Sequence, residues 1–188
     1  MNLPRFLLFV ALLLASHPLY AQDASAPTGF RGEFLGLFEM EAGKIAQLAS
    51  AVPEDKYSWR PAEGVRSVAE VYMHIAGANE MFASMISGEE IDLKAVMAKE
   101  KSTTAKADIE KHLAASIEKV KETVKKMSDA DLEKSVTISF IPLTTSARGV
   151  LLIVMSHVSE HLGQSIAYAR SNNITPPWTA KENTGSGY

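Results

Sequence analysis

Apolar residues recur at intervals of three and four in four separate stretches of this chain, and helix-ending residues stand between the stretches. That rhythm lays the apolar side chains along one face of an α-helix, so each stretch has to bury that face against another. The first stretch, about Gly29 to Ala51, carries Phe34, Phe38, Ile45 and Leu48 and is ended by Pro53. The second opens at Ser67, where Ser67-Val-Ala-Glu70 is a capping box. It carries Val71, Ile75, Ala78, Phe82 and Met85 and closes at Gly88. The third, about Thr104 to Met127, sets Ile109, Leu113, Ile117, Val120 and Val124 against a crowd of Lys and Glu on its other face. The fourth is capped near Ser146 and runs to about Asn172, with Pro176-Pro177 barring continuation. Before it, Val136, Ile138 and Phe140 alternate with polar residues, the pattern of a short extended segment packed over one end of a bundle. No internal repeat, Gly-rich phosphate loop or strand–helix alternation is present. The expected fold is all-α: a four-helix bundle with a short extended segment before the last helix.

The N-terminus follows a different logic. Arg5 is followed by the apolar run Phe6 to Ala15, then a polar, proline-marked segment ending in Leu19-Tyr20-Ala21. That is signal-peptide architecture, too short for a membrane span of about 20 apolar residues. The expected organisation is therefore a signal peptide at 1–21, one domain at 22–178 and a flexible tail at 179–188, in a periplasmic or secreted protein with no membrane segment after cleavage. Of 19 basic and 22 acidic residues, cleavage removes Arg5 and no acid, leaving 18 against 22 and a net charge of -4. Such a balance gives no footprint for nucleic acid. Cysteine is absent, so thiolate nucleophiles and thiolate metal ligands are excluded.

Chemistry points to histidine. His17 leaves with the signal peptide, and His112 lies beside the third stripe among Glu110, Lys111 and Lys119, as a surface residue would. His157 and His161 are four apart, one turn apart on one helix face. That face is the buried one, because Val150, Val154, His157, His161, Gln164 and Tyr168 keep the three–four rhythm. Burying such groups without partners costs roughly 1–3 kcal/mol each, so something must satisfy them. His74, beside Val71, Ile75 and Ala78 on the second helix, can point into the same interior. Three imidazoles from two helices leave coordination positions open, as catalytic metal sites do. The donors suit zinc, nickel, copper, cobalt or iron(II). The plainer reading is three hydrogen-bonded core histidines around an empty site.

Around them, Gln164 shares the histidine face and is the better candidate to support a ligand from behind. Glu70, one turn before His74, is open to two readings, a partner for the imidazole N–H or simply the capping box. Asn79 either borders the cavity or hydrogen-bonds across helices. Trp59 and Phe140 either wall the pocket mouth or belong to the core. Glu160 points about 100° away from His161 around the helix. Arg148 opposes the helix dipole at the start of the last helix, a hint of an acidic partner or an anionic ligand.

The run Trp59-Arg60-Pro61-Ala62, then Ser67 to His74 and Asn79-Glu80, resembles the DinB/YfiT-like superfamily, as does His157-Val-Ser-Glu-His161-Leu-Gly-Gln164 near its end. The likeness extends to Ala169-Arg170 and Ile174-Thr-Pro-Pro177 and spans about residues 28 to 178. It implies an up-down-down-up four-helix bundle of DinB/YfiT-like type, zinc or nickel on His74, His157 and His161, and frequently a homodimer. Members include thiol-dependent transferases and isomerases, yet no residue here marks a thiol cofactor. Two functions are therefore expected as rivals: a metal-dependent hydrolase or transferase acting on an unknown small molecule, or a non-catalytic metal or small-ligand binding protein.

Overall fold

Each of the four apolar stripes forms a helix in the computed structural model, which describes residues 27–138 and 140–179. The expected signal peptide and the tail from 180 lie outside the described residues. Helix α1 spans Gly29–Ala51, α2 Val68–Ser87, a short α3 Leu93–Lys99, α4 Lys106–Lys126 and α5 Ala147–Ser171. Strands β1 (Ser135–Ile138) and β2 (Leu143–Ser146) form an antiparallel hairpin between α4 and α5. No helix among the described residues is long and apolar enough to cross a membrane.

The main helix contacts are α1 with α4 and α5, and α2 with α4 and α5. Consecutive long helices α1 and α2, and likewise α4 and α5, therefore sit diagonally, and α2 packs beside α5. That order needs long connections, and both are built. Between α1 and α2 the chain buries Tyr57, whose hydroxyl donates to the Ala49 carbonyl at 2.8 Å. The carbonyls of Tyr57 and Trp59 then accept from the first-turn amides of Ala69 and Val68 at 2.9 and 3.0 Å. Otherwise unpaired donors at the start of α2 are thus fixed by the loop. The core runs through all four long helices, with Phe38, Ile45, Leu48, Ile75, Ile109, Leu113, Val120 and Leu151 at 2% exposure or less.

Two elements go beyond the expectation. The extended segment is one arm of a hairpin: Val136 and Ile138 are buried, while Ser135 and Thr137 face out. Its partner Leu143–Ser146 holds a single apolar residue and has no periodicity to read. Helix α3 was not expected either. Its seven residues are too few for a clear three–four rhythm and none is fully buried, but Asp92 caps it by accepting from the amides of Lys94 and Ala95.

Candidate metal centre

The two helices that meet at the centre are each fixed at their N-termini. Ser67 Oγ accepts from the Glu70 amide at 3.2 Å, and Glu70 Oε2 accepts from the Ser67 amide at 2.8 Å, closing the capping box of α2. Ser146 Oγ likewise accepts from the Gly149 amide at 3.1 Å and starts α5. Gly149 allows this turn, because a Cβ there would lie 2.2 Å from Thr145 Oγ1. Downstream of these caps, Val71 and Ile75 on α2 and Val150, Val154 and Val158 on α5 are buried and draw the helices together. His74 is carried in among them to face His157 and His161.

The three rings form a compact group, with centroids 4.9 Å apart for His74–His157, 4.9 Å for His74–His161 and 4.4 Å for His157–His161. One ring nitrogen from each lies within 4.8 Å of the others. His74 Nε2 and His157 Nε2 are 3.0 Å apart. Bonds of about 2.0–2.1 Å in a tetrahedral zinc site put ligand nitrogens roughly 3.3–3.4 Å apart. The spacing thus needs only small ring movements to fit an ion.

Protonation states agree with that use. Burial, then the neighbouring His161, His74 and Arg66, push the pKa of His157 down from 6.5 to about 3. Burial, with Arg66 and His161, also lowers His74 against the opposing pull of Glu100. Both are neutral at pH 7, the state in which imidazole binds metal.

Gln164 reaches the cluster directly. The carbonyl of Arg66 can only accept, so the Tyr168 hydroxyl donates to it at 3.1 Å. That hydroxyl in turn accepts from Gln164 Nε2 at 3.0 Å, which turns Gln164 Oε1 toward His161 Nδ1 at 2.7 Å. His161 therefore carries its proton on Nδ1 and keeps an Nε2 lone pair for the centre. Trp59 backs this arm, packed edge-on against Tyr168 with centroids 5.3 Å apart.

Other singled-out residues lie further off. Glu70 gives its carboxylate to the cap and to Arg60 at 3.3 Å; it borders an open recess with Gln164 and does not pair with His74. Asn79 hydrogen-bonds across helices to Ser116. Phe140 is 49% exposed and packs on Phe82, whose ring centroid is 6.4 Å from that of His157. Arg148 finds its acid in Glu133 at 2.6 Å. Glu160 is exposed.

The acceptor for His74 is Glu100, whose Oε2 lies 3.0 Å from His74 Nδ1. Sequence reasoning missed it, because Lys99-Glu100-Lys101 reads as solvated surface. Arg66 was missed too; it meets Glu100 with Nε and Nη2 at 2.8 and 3.3 Å. Burial opposes the charge on Glu100, but Arg66 and His74 outweigh it and hold the carboxyl below its ordinary range. The available signal was Asp92, an N-cap residue that announces a helix starting at Leu93, just before this glutamate.

With this geometry in hand, residues 37–165 match the family model of the DinB superfamily, well over half the chain. The chain belongs to the DinB superfamily. Among solved structures, a DinB-like protein from Bacillus cereus superposes with TM-score 0.66 at 19% identity, covering 77% of this chain and 93% of that one. A DinB-like protein from Bacillus subtilis gives 0.60 at 20%, covering 76% and 94%. A mycothiol-dependent maleylpyruvate isomerase gives 0.61 at 15%, covering 72% of this chain and 62% of that one. At these identities the likeness establishes the fold. No curated protein matches the sequence.

Proposed function

We propose that this DinB-superfamily protein holds a divalent metal ion, zinc or nickel, on Nε2 of His74, His157 and His161, and that it acts on a small molecule by metal-dependent hydrolysis or group transfer. The observation that carries the reading is the convergence of three ring nitrogens within 4.8 Å, from two helices. An ion held there supplies a Lewis acid and lowers the pKa of a bound water or thiol. The chain's own part is to keep His74 and His157 neutral, to hold the His161 ring through Gln164 and Tyr168, and to limit water beside His157 with Phe82 and Phe140.

One observation favours a second reading, a metal or ligand carrier without turnover. Glu70 and Glu100, the carboxylates beside the centre, are each paired with an arginine and neither is free to act as a base. The mycothiol-dependent isomerase of the same fold makes a thiol-dependent reaction one candidate, although the cleavable signal read at 1–21 would place this protein in the periplasm or outside the cell, away from cytosolic thiols. The homodimer is part of the same proposal and rests on the family.

Elemental analysis of protein purified without a histidine tag is the test. Wild type should carry about one ion per chain and His157→Ala none; a wild type without stoichiometric metal after reconstitution removes the reading. Turnover that persists equally in metal-loaded wild type and His161→Ala removes catalysis by the metal and leaves the carrier.

A further inference from the structure

Two hydrogen-bonded arms leave the histidine cluster, and both end on Arg66. The first runs from His161 through Gln164 and the Tyr168 hydroxyl to the Arg66 carbonyl. The second runs from His74 Nδ1 to Glu100 Oε2 at 3.0 Å, and the Arg66 guanidinium grips the same carboxylate with Nε at 2.8 Å and Nη2 at 3.3 Å. A carboxylate clamped by a guanidinium is an acceptor only, so the proton shared with His74 sits on Nδ1. His74 Nε2 is thereby left bare, 3.0 Å from His157 Nε2.

We propose that Glu100, clamped by Arg66, is the positioning residue of the centre: it sets the tautomer and ring orientation of His74 so that Nε2 is presented to the metal. The proposal rests on the three histidines being ligands. Imidazole ligands commonly donate their second N–H to a carboxylate or carbonyl, which fixes the ring and raises its basicity. Glu100 follows a seven-residue helix none of whose residues is fully buried, yet its own carboxylate is only 18% exposed. Helix α3 is instead brought close at Gly77, three residues past His74, where a Cβ would stand 3.0 Å from Val96 Cγ1. That approach delivers Glu100 to the back of the His74 ring.

The test uses the full chain, zinc(II) and four substitutions. Affinity is read by chelator competition, and the His74 tautomer by ¹⁵N NMR on metal-free protein. Glu100→Gln should bind zinc about 10-fold more weakly, and Glu100→Ala up to about 100-fold. Glu100→Ala, with no acceptor left, should also lose the Nδ1–H signature of His74, and Glu100→Asp should restore part of both. Arg66→Gln should cost less than Glu100→Gln, and the double variant no more than Glu100→Gln alone, because Arg66 acts through the carboxylate. Should Glu100→Ala fail to fold, Glu100→Asp, with its carboxylate drawn back from the ring, still gives both readouts.

A Glu100→Ala variant that binds zinc like wild type, or whose affinity falls while the tautomer stays put, overturns the positioning role and leaves the ligand assignment intact. A wild type that binds no zinc overturns the ligand assignment itself. In that case a tautomer that moves in Glu100→Ala still supports the positioning of His74, and one that does not move overturns it.

Discussion

Helix α2 carries two buried polar clusters, one toward α4 and one toward α5, and they end in opposite ways. Toward α4, Asn79 Nδ2 donates to Ser116 Oγ at 3.3 Å, and that hydroxyl donates to the Leu113 carbonyl at 2.8 Å. Both residues are 1% exposed, and their chain closes on helix backbone. Toward α5, the bonds of His74 and His161 run outward, to Glu100 and Gln164, while the remaining nitrogens turn inward on one another. A buried polar group that closes on the backbone stabilises a fold. One whose bonds orient lone pairs toward a shared point could hold a metal ion there.

The largest effect should separate the clusters by what they respond to. Zinc at about 100 times its dissociation constant should stabilise wild type by about 2.7 kcal/mol and His157→Ala not at all. Asn79→Ala should keep that gain yet lose about 1–2 kcal/mol in the metal-free protein, since the Ser116 hydroxyl forfeits a donor in the core. Thermal unfolding with and without zinc measures both. A metal response that survives in His157→Ala, or vanishes in Asn79→Ala, would erase the distinction.

The same contrast explains what was legible in the sequence. Helix α1 starts and stops where its periodicity and Pro53 put it, and the Ser67–Glu70 box and Gly88 bound α2 as expected. The three histidines were readable because each occupies an apolar-face position, so its polarity is an anomaly within a regular stripe. For Asn79 both readings were open in the sequence; the cross-helix bond to Ser116 is what forms. The capping reading of Glu70 likewise describes where its carboxylate goes. What escaped notice lies off the stripes. Glu100 and Arg66 sit in charged, aperiodic connections, where a residue that folds back on a site looks like one facing water. Strand β2 depends on the backbone of β1, and a ladder leaves no trace in four mostly polar residues.

Acid should sharpen the comparison next. In the unfolded chain His157 protonates near its ordinary value of 6.5, whereas in the folded protein burial and its neighbours delay protonation to about 3. Below 6.5 the unfolded state therefore binds the extra proton, so stability is level above that pH and falls as pH drops toward 3. The slope for this one residue approaches about 1.4 kcal/mol per pH unit. His74, lowered in the same direction, adds to it. Metal-free wild type should show this loss in denaturant titrations from pH 7 to 4, and His157→Ala should show less of it. Asn79→Ala should offset the whole curve without tilting it, because neither Asn79 nor Ser116 titrates. A wild type as flat as His157→Ala would mean that His157 charges freely in place, and its role as a neutral ligand would go with it.

The smallest effect separates the two arms of the centre. Gln164→Ala leaves the Nδ1–H of His161 without its acceptor in a ring only 6% exposed, so part of the population turns its lone pair away from the centre. Zinc affinity should fall several-fold. It should fall less than in Glu100→Ala, because the amide bond is neutral and charge-assisted bonds are roughly twice as strong. Gln164→Glu replaces that amide with a carboxylate, the group His74 already has behind it, and should bind zinc at least as tightly as wild type. If Gln164→Ala costs as much as Glu100→Ala, the carboxylate adds nothing beyond holding a ring still. If Gln164→Glu weakens binding, a second anion beside Glu100 repels more than it steadies.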